Sequence, residues 1–181
     1  MSNLRLINET TALGGTNSVN INNVFSADFD IYKITISNAS SETQLDNNFI
    51  NLILINNSGS IISSSNYDKA IQYFRGYANT ALELKNENTD NMAAIYHDIN
   101  SSNGNANATI YLFNPFSSSA YTFAIFQASG AAYISGQVPY MEKGFGVLKQ
   151  TASMTGYTFI NRNSLNIATG VFRTYGLRVD S

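Results

Sequence analysis

The chain has no cysteine, no tryptophan, two prolines and a single histidine among its 181 residues. Without cysteine, neither a disulfide framework nor a thiolate metal site is available. Charge is also scarce, with ten basic and twelve acidic side chains and a net charge of -2. No cluster of Lys or Arg forms a stripe, and nucleic-acid binding is disfavoured because counterion release requires several clustered cations.

Long apolar runs are missing as well. No segment approaches the roughly 20 apolar residues that span a bilayer, so we expect a soluble protein with no membrane partner. The opening residues mix isolated apolar side chains with polar ones, unlike a signal peptide, so we expect the mature chain to begin at Met1 or Ser2. With no composition shift and no internal repeat, residues 1–181 are predicted to form a single domain.

Polarity comes instead from uncharged side chains, with 25 Asn and 21 Ser, while eleven Tyr and eleven Phe supply apolar surface. Asn and Ser favour turns over helices. In the segment DIYKITIS (30–37), Tyr32, Ile34 and Ile36 alternate with polar residues, the pattern of a strand with one buried face. The segment FINLILIN (49–56) is apolar on both faces and is predicted to be a central strand.

Ten further segments rich in aromatic or β-branched residues are candidate strands, and from the twelve candidates we expect about ten or eleven short strands, as in a sandwich or a barrel. These segments are 4–8, 18–25, 68–76, 91–99, 108–114, 120–128, 132–138, 144–150, 156–162 and 170–181. Residues 100–107 are predicted to form the tip of a hairpin, and residues 114–120, with Pro115, a turn. Residues 78–88 are predicted to be a loop or a short helix, so the fold has little or no helix.

Catalytic motifs are absent from the sequence. No Ser has the flanking glycines of a nucleophile elbow. His97 and Asp98 are adjacent in a strand-like segment, so they point to opposite faces and cannot share one ion. Carboxylates that could serve glycoside hydrolysis are Asp28 with Asp30, Glu83 with Glu87, and Asp90 with Asp98; a calcium ion could use Asp28, Asp30 or Asp46. Asp28 and Asp30 are better explained by a turn. We therefore expect no catalytic residue, no cofactor and no metal site.

Most of the eleven tyrosines are expected to pack in the core or between subunits. Tyr140, with its neighbour Met141, is the best candidate for a surface contact. Both residues lie in the segment VPYMEKG (138–144), which Pro139 and Gly144 are expected to hold outside a ladder.

Five segments together resemble small structural proteins of marine T4-like cyanophages and related bacteriophages. They are SNLRLINETT (2–11), VFSADFDIYKITIS (24–37), SSNYDKA (64–70), YLFNPFSSSAYTFAIFQASG (111–130) and IATGVFRTYGLRVDS (167–181). The most recognisable parts are the strand from Phe29 to Ile34 and the ending from Tyr175 to Arg178. The resemblance implies a single jelly-roll-like antiparallel β-sandwich without a catalytic motif.

By this resemblance the chain is expected to be a virion structural protein, assembled in the host cytoplasm, that decorates the capsid or forms part of the tail or fibre apparatus. Its partners are expected to be other virion proteins and copies of itself, with a homotrimer favoured, and residues 1–24 are a candidate docking or edge-strand segment. The alternative is a carbohydrate-binding module for host surface glycan. A glycoside hydrolase ranks third.

Overall fold

The computed structural model describes residues 4–43, 49–96, 105–133 and 137–178. The described residues form twelve β-strands and no helix, which confirms the predicted all-β class. The strands are β1 (Leu4–Ala12), β2 (Ser18–Ile21), β3 (Ile31–Ser41), β4 (Phe49–Asn56), β5 (Tyr67–Arg75), β6 (Leu82–Thr89), β7 (Ala93–Tyr96), β8 (Ala106–Phe113), β9 (Thr122–Tyr133), β10 (Gln137–Leu148), β11 (Met154–Asn161) and β12 (Ile167–Leu177).

Two antiparallel sheets face each other. The large sheet has the strand order β1-β12-β3-β8-β9-β10-β5-β6, and the small sheet has the order β2-β11-β4-β7. Four strands of the large sheet, β1-β12-β3-β8, and the four of the small sheet reproduce the strand order of a jelly roll. Successive strands of this frame lie in opposite sheets except β4 and β7, which pair within the small sheet, and the last strand, β12, pairs with the first. The remaining strands are two hairpins, β5–β6 and β9–β10, that extend the large sheet.

One continuous apolar core fills the space between the sheets. On β3, Tyr32, Ile34 and Ile36 are buried and the residues between them are partly exposed, as the alternation predicted. From the small sheet Phe159 packs on Phe172 of the large sheet, with ring centroids 5.4 Å apart. Each such fully buried side chain stabilises the fold by about 1.5–3 kcal/mol relative to exposure, so this core holds the sheets together.

Three local predictions are wrong. Residues 82–89, expected in a loop or short helix, form the edge strand β6. The strands on either side of residues 100–107, which lie mostly outside the described residues, were expected to pair as a hairpin, but β7 pairs with β4 in the small sheet and β8 pairs with β3 and β9 in the large sheet. Residues 132–138 and 144–150 were predicted as separate strands, but β9 extends to Tyr133 and β10 runs without interruption from Gln137 to Leu148, paired with β9.

Strands β1 and β2 lie at one edge of the large sheet and of the small sheet, respectively. Thus the first part of the chain supplies two sheet edges. The predicted turn at residues 114–120 is confirmed: it joins the paired strands β8 and β9, and Asn114 adopts a left-handed φ of 57° there.

Candidate binding face

The side of the large sheet that points away from the small sheet carries large apolar side chains that are not buried. On β9 the side chains of Ala124 and Phe126 point into the core, so Phe123 and Ile125 point outward, where they are 48% and 49% exposed. Phe145 on β10 is 55% exposed. We call the outward-pointing side chains of β8, β9, β10, β5 and β6 the outer face.

Strand register aligns the apolar side chains of the outer face in rows across the sheet. One row runs through Tyr111 of β8, Ile125 of β9, Phe145 of β10 and Ala70 of β5, each opposite the next. A second row consists of Phe113, Phe123 and Val147. Directly opposed residues have Cβ atoms about 4.5–5.5 Å apart, so each row is a continuous apolar strip.

A polar row lies beside the Tyr111–Ala70 row. It runs through Thr109, Gln127, Lys143, Gln72 and Glu83, again residue opposite residue. Gln72 Nε2 donates to Glu83 Oε1 at 3.4 Å, and Lys143 Nζ lies 5.9 Å from the centroid of the Phe74 ring. Hydroxyl, amide, ammonium and carboxylate groups are therefore presented along one line.

The two rows line an open groove of about 820 Å³. Its floor is the apolar row from Tyr111 to Phe145, and Glu83 and Lys85 of the edge strand β6 form one wall. Lys85 Nζ is 2.6 Å from Glu87 Oε1, and this contact raises the pKa of Lys85. A concave apolar site with a few polar groups at its side is the usual form of a binding site.

The Phe113–Val147 row ends at Asp68, which lies opposite Val147. Asp68 accepts a hydrogen bond from Lys149 Nζ at 2.8 Å and another from the Asn88 N–H at 2.8 Å. The Lys149 hydrogen bond is the main cause that lowers the pKa of Asp68 below its ordinary value. This end of the outer face therefore carries a carboxylate whose Oδ1 accepts hydrogen bonds from both Lys149 and Asn88.

Tyr140 is not part of the outer face. It lies within β10, paired with both β9 and β5, and its side chain points into the core, where it is only 5% exposed and stacks on Tyr73 at 5.8 Å. The prediction of a surface contact through Tyr140 is therefore wrong, because residues 138–144 continue a strand and Tyr140 falls on its inner side. Met141 points outward and is 48% exposed, so a contact through Met141 stays a prediction.

The carboxylate candidates are distributed over separate elements. Asp28 lies in a turn, where its N–H donates to Ser26 Oγ, so the turn interpretation is confirmed. Glu83 and Glu87 lie on β6 with the salt-bridged Lys85 between them. His97, Asp98 and Asp46 lie outside the described residues.

Across the part of the chain that the structure describes, no three His, Asp or Glu side chains are grouped as metal ligands. Within the same ranges no helix with the length and apolarity of a membrane span is found.

The sequence contains a pattern that indicates the outer face, and the strand assignment did not make use of it. The segment AYTFAIFQA (120–128) is apolar at odd and at even positions, so a strand there must expose one apolar side unless another layer covers it. The small sheet has only four strands against eight, and it lies on the inner side. The second apolar side of β9 is consequently left to solvent.

Fold and face together define a jelly-roll β-sandwich whose extended sheet presents an open, partly apolar binding surface. No family model matches this chain, and no curated protein matches it in sequence.

Proposed function

We propose that the chain is a structural attachment protein of a bacteriophage virion, placed on the capsid exterior or in the tail or fibre apparatus. It works by protein–protein contacts and catalyses no turnover. The observation that supports this proposal is the outer face. Its most exposed apolar side chains are Phe74, Phe123, Ile125, Met141 and Phe145, and Tyr121, immediately before β9, adds to them; the exposed fractions lie between 38% and 55%.

The exposed apolar area of the outer face also supports a role in binding. Aromatic side chains have about 150–250 Å² to bury, so these six side chains at nearly half exposure leave about 500 Å² of apolar surface in water, in total over the two sides of the polar row. The largest patch on a typical monomer is about 300–600 Å² and is often functional. A standard interface takes about 800 Å² from each partner, so the outer face could supply much of one.

Copies of this chain are the first partners we propose, arranged as a closed homotrimer, with other virion proteins as the second. In a closed oligomer with rotational symmetry each copy buries the same surfaces, and no copy is left with an unpaired interface. The apolar rows would form the interface centre, and the polar row from Thr109 to Glu83 would supply hydrogen bonds at its rim.

Light scattering coupled to size exclusion tests the oligomer. The wild-type chain at micromolar concentration is expected at the mass of a trimer, and Ile125→Asp, which places a charge in the middle of the apolar row, is expected to be monomeric. Leu13→Asp is the matched control, since Leu13 is 88% exposed and lies outside the outer face. A monodisperse wild-type monomer would contradict the trimer.

The place in the virion is tested on purified particles. We expect an image reconstruction of the particle to contain density that fits this sandwich. We also expect a proteolytic digest of the purified particles to contain peptides of this chain. Infectious particles that contain no copy of the chain would remove the structural role.

Glycan binding is the second candidate function. The observation that favours it is the polar row that lies beside the apolar row from Tyr111 to Ala70. Sugar rings stack on aromatic faces while their hydroxyl groups bond to amides and carboxylates, and the Tyr111 row and the Gln127 row present these groups side by side. On a glycan array, binding that is lost in Gln127→Ala and kept in Leu13→Asp would support this function. Absence of binding by the wild-type chain would contradict it.

A further inference from the structure

Lys69 is a buried lysine in contact with a buried asparagine. It lies on the inner side of β5, flanked by Tyr67 and Ile71, and is 6% exposed; Asn91 is 5% exposed. Lys69 Nζ donates a hydrogen bond to Asn91 Oδ1. Lysine is almost never fully buried unless it is paired, and the partner that the structure gives to Nζ here is an uncharged amide.

The local backbone explains why these side chains meet. Lys69 lies opposite Gly146 in the β5–β10 ladder. A Cβ at Gly146 would be 2.0 Å from the carbonyl oxygen of Met92, so only glycine lets this part of the chain rest on β10. Met92 is also fixed from the other side, since its N–H donates to the Leu52 carbonyl at 2.9 Å. Asn91 is thereby held over Lys69.

We propose that Lys69 and Asn91 become joined by an amide bond that the protein forms on itself. The Nζ atom of Lys69 attacks Cγ of Asn91, the Nζ–Cγ bond forms, and the Cγ–Nδ2 bond breaks. One proton passes from Nζ to Nδ2, which leaves as ammonia. Nothing else is consumed, because an amine and a primary amide give a secondary amide and ammonia.

The carboxylate of Asp90 is placed to move that proton. Asn91 Nδ2, the leaving group, donates to Asp90 Oδ1 at 2.6 Å. A carboxylate at this position can accept the proton released by the attacking amine and return it to the departing nitrogen. Asp90 therefore has the role of proton carrier in this reaction.

The surroundings favour the neutral amine that the attack needs. Burial is the main cause that lowers the pKa of Lys69, to about 8, so a substantial neutral fraction exists near neutral pH. The charges of Asp90 and Glu142 act in the opposite direction and that of Arg162 in the same direction as burial. Fixing the two reacting groups in contact replaces a slow encounter by an intramolecular step.

Intact-mass measurement of the full purified chain under denaturing conditions tests the bond. Loss of ammonia lowers the mass by about 17 Da relative to the sequence. Trypsin is expected to leave the bond after Lys69 uncut and the peptides that contain Lys69 and Asn91 joined. A wild-type mass equal to that of the sequence, after allowance for removal of Met1, would overturn the proposal.

Substitutions identify which two side chains form the bond. Lys69→Arg and Asn91→Ala are each expected to restore the mass predicted from their sequences. Asn86→Ala is the matched control, because Asn86 lies opposite Lys69 on β6 but is not the amide that Nζ contacts; it is expected to keep the deficit.

Asp90→Asn is expected to slow the appearance of the deficit at least tenfold after refolding. An unchanged rate would overturn the role of Asp90. Since the wild-type mass alone decides whether the bond exists, a variant that does not fold leaves the test intact.

Discussion

The hydroxyl groups of Tyr157 and Thr174 lie 2.7 Å apart between the two sheets, where both side chains are fully buried. Tyr157 belongs to β11 of the small sheet and Thr174 to β12 of the large sheet. Burial raises the pKa of Tyr157, so its hydroxyl stays protonated over the working range of pH. This hydrogen bond connects the sheets across an otherwise apolar region.

Removing both hydroxyl groups of this pair is expected to cost less than the two single removals added together. Tyr157→Phe leaves the Thr174 hydroxyl buried without this partner, and Thr174→Val does the converse, so each is expected to lower the free energy of unfolding by about 1–3 kcal/mol. The double variant is expected to lose clearly less than the sum. Equilibrium unfolding in urea measures all four proteins, and strict additivity would show that the two hydroxyls do not interact.

Gly146→Ala is expected to destabilise the fold by about 3 kcal/mol or more, because the added methyl group meets backbone that cannot rotate away. Thermal unfolding followed by circular dichroism measures the effect. Ser129→Ala, on the exposed side of the neighbouring strand β9, is the control and is expected to stay within about 0.5 kcal/mol. Equal melting temperatures for Gly146→Ala and wild type would mean that β10 and Met92 are not packed this closely.

Asp68 is expected to make stability depend on acidity. Its pKa in the folded chain is lowered below the ordinary 3.8, mainly by the Lys149 hydrogen bond, so its contribution is present above pH 3.8 and is lost as the pH falls through the folded value. The difference in unfolding free energy between wild type and Asp68→Asn is therefore expected to shrink on acidification. Lys149→Gln is expected to abolish most of this pH dependence, and a difference that grows with acid would contradict the assignment.

The edge strand β6 is expected to be kept from pairing with other chains by its charges. Lys85 and Glu87 are exposed and form a salt bridge there, and charged side chains are a common protection of sheet edges. Replacing both by Val is expected to increase turbidity and scattering on storage at constant temperature. Asn57→Val, in an exposed turn, is the control. A double variant that stays as clear as the control would argue against this role.

Much of the fold could be predicted from the sequence because buried faces impose a period of two. β3 is an example: the alternation of Tyr32, Ile34 and Ile36 fixes both the strand and its inner side. β6 was missed for the opposite reason. In LELKNENT neither side is buried deeply, so the period is absent, and the strand exists because β5 offers it a ladder to pair with.

The division of β9 and β10 failed for another physical reason. Pro139, Gly144 and Gly146 are residues that usually end strands, but here both glycines lie within β10. Gly146 leaves space for the backbone of Met92, and Gly144 leaves space for the Phe126 ring and the Ala70 carbonyl. That requirement comes from tertiary packing and cannot be read locally. The same error placed Tyr140 on the surface instead of beside Tyr73.

The exposed apolar side of β9 could be predicted from the sequence. The set of residues that stand beside it on the outer face could not. Apolar residues at both odd and even positions of 120–128 indicate a strand with two apolar sides. Which strands stand beside it depends on pairing between segments far apart in the chain, such as β10 with β5. For that reason the polar row from Thr109 to Glu83 emerges only from the assembled register.

The two hairpins β5–β6 and β9–β10 are insertions in an eight-strand jelly-roll frame. The strands of that frame pair with one another without the hairpins. Their residues meet that frame along one strand boundary, between β8 and β9, and on the inner side. These hairpins could therefore be lengthened, shortened or given new outward-pointing side chains without breaking a strand pair within the frame. Substitutions of the outward-pointing side chains of these hairpins would then alter the outer face and leave the strand pairing of the frame intact.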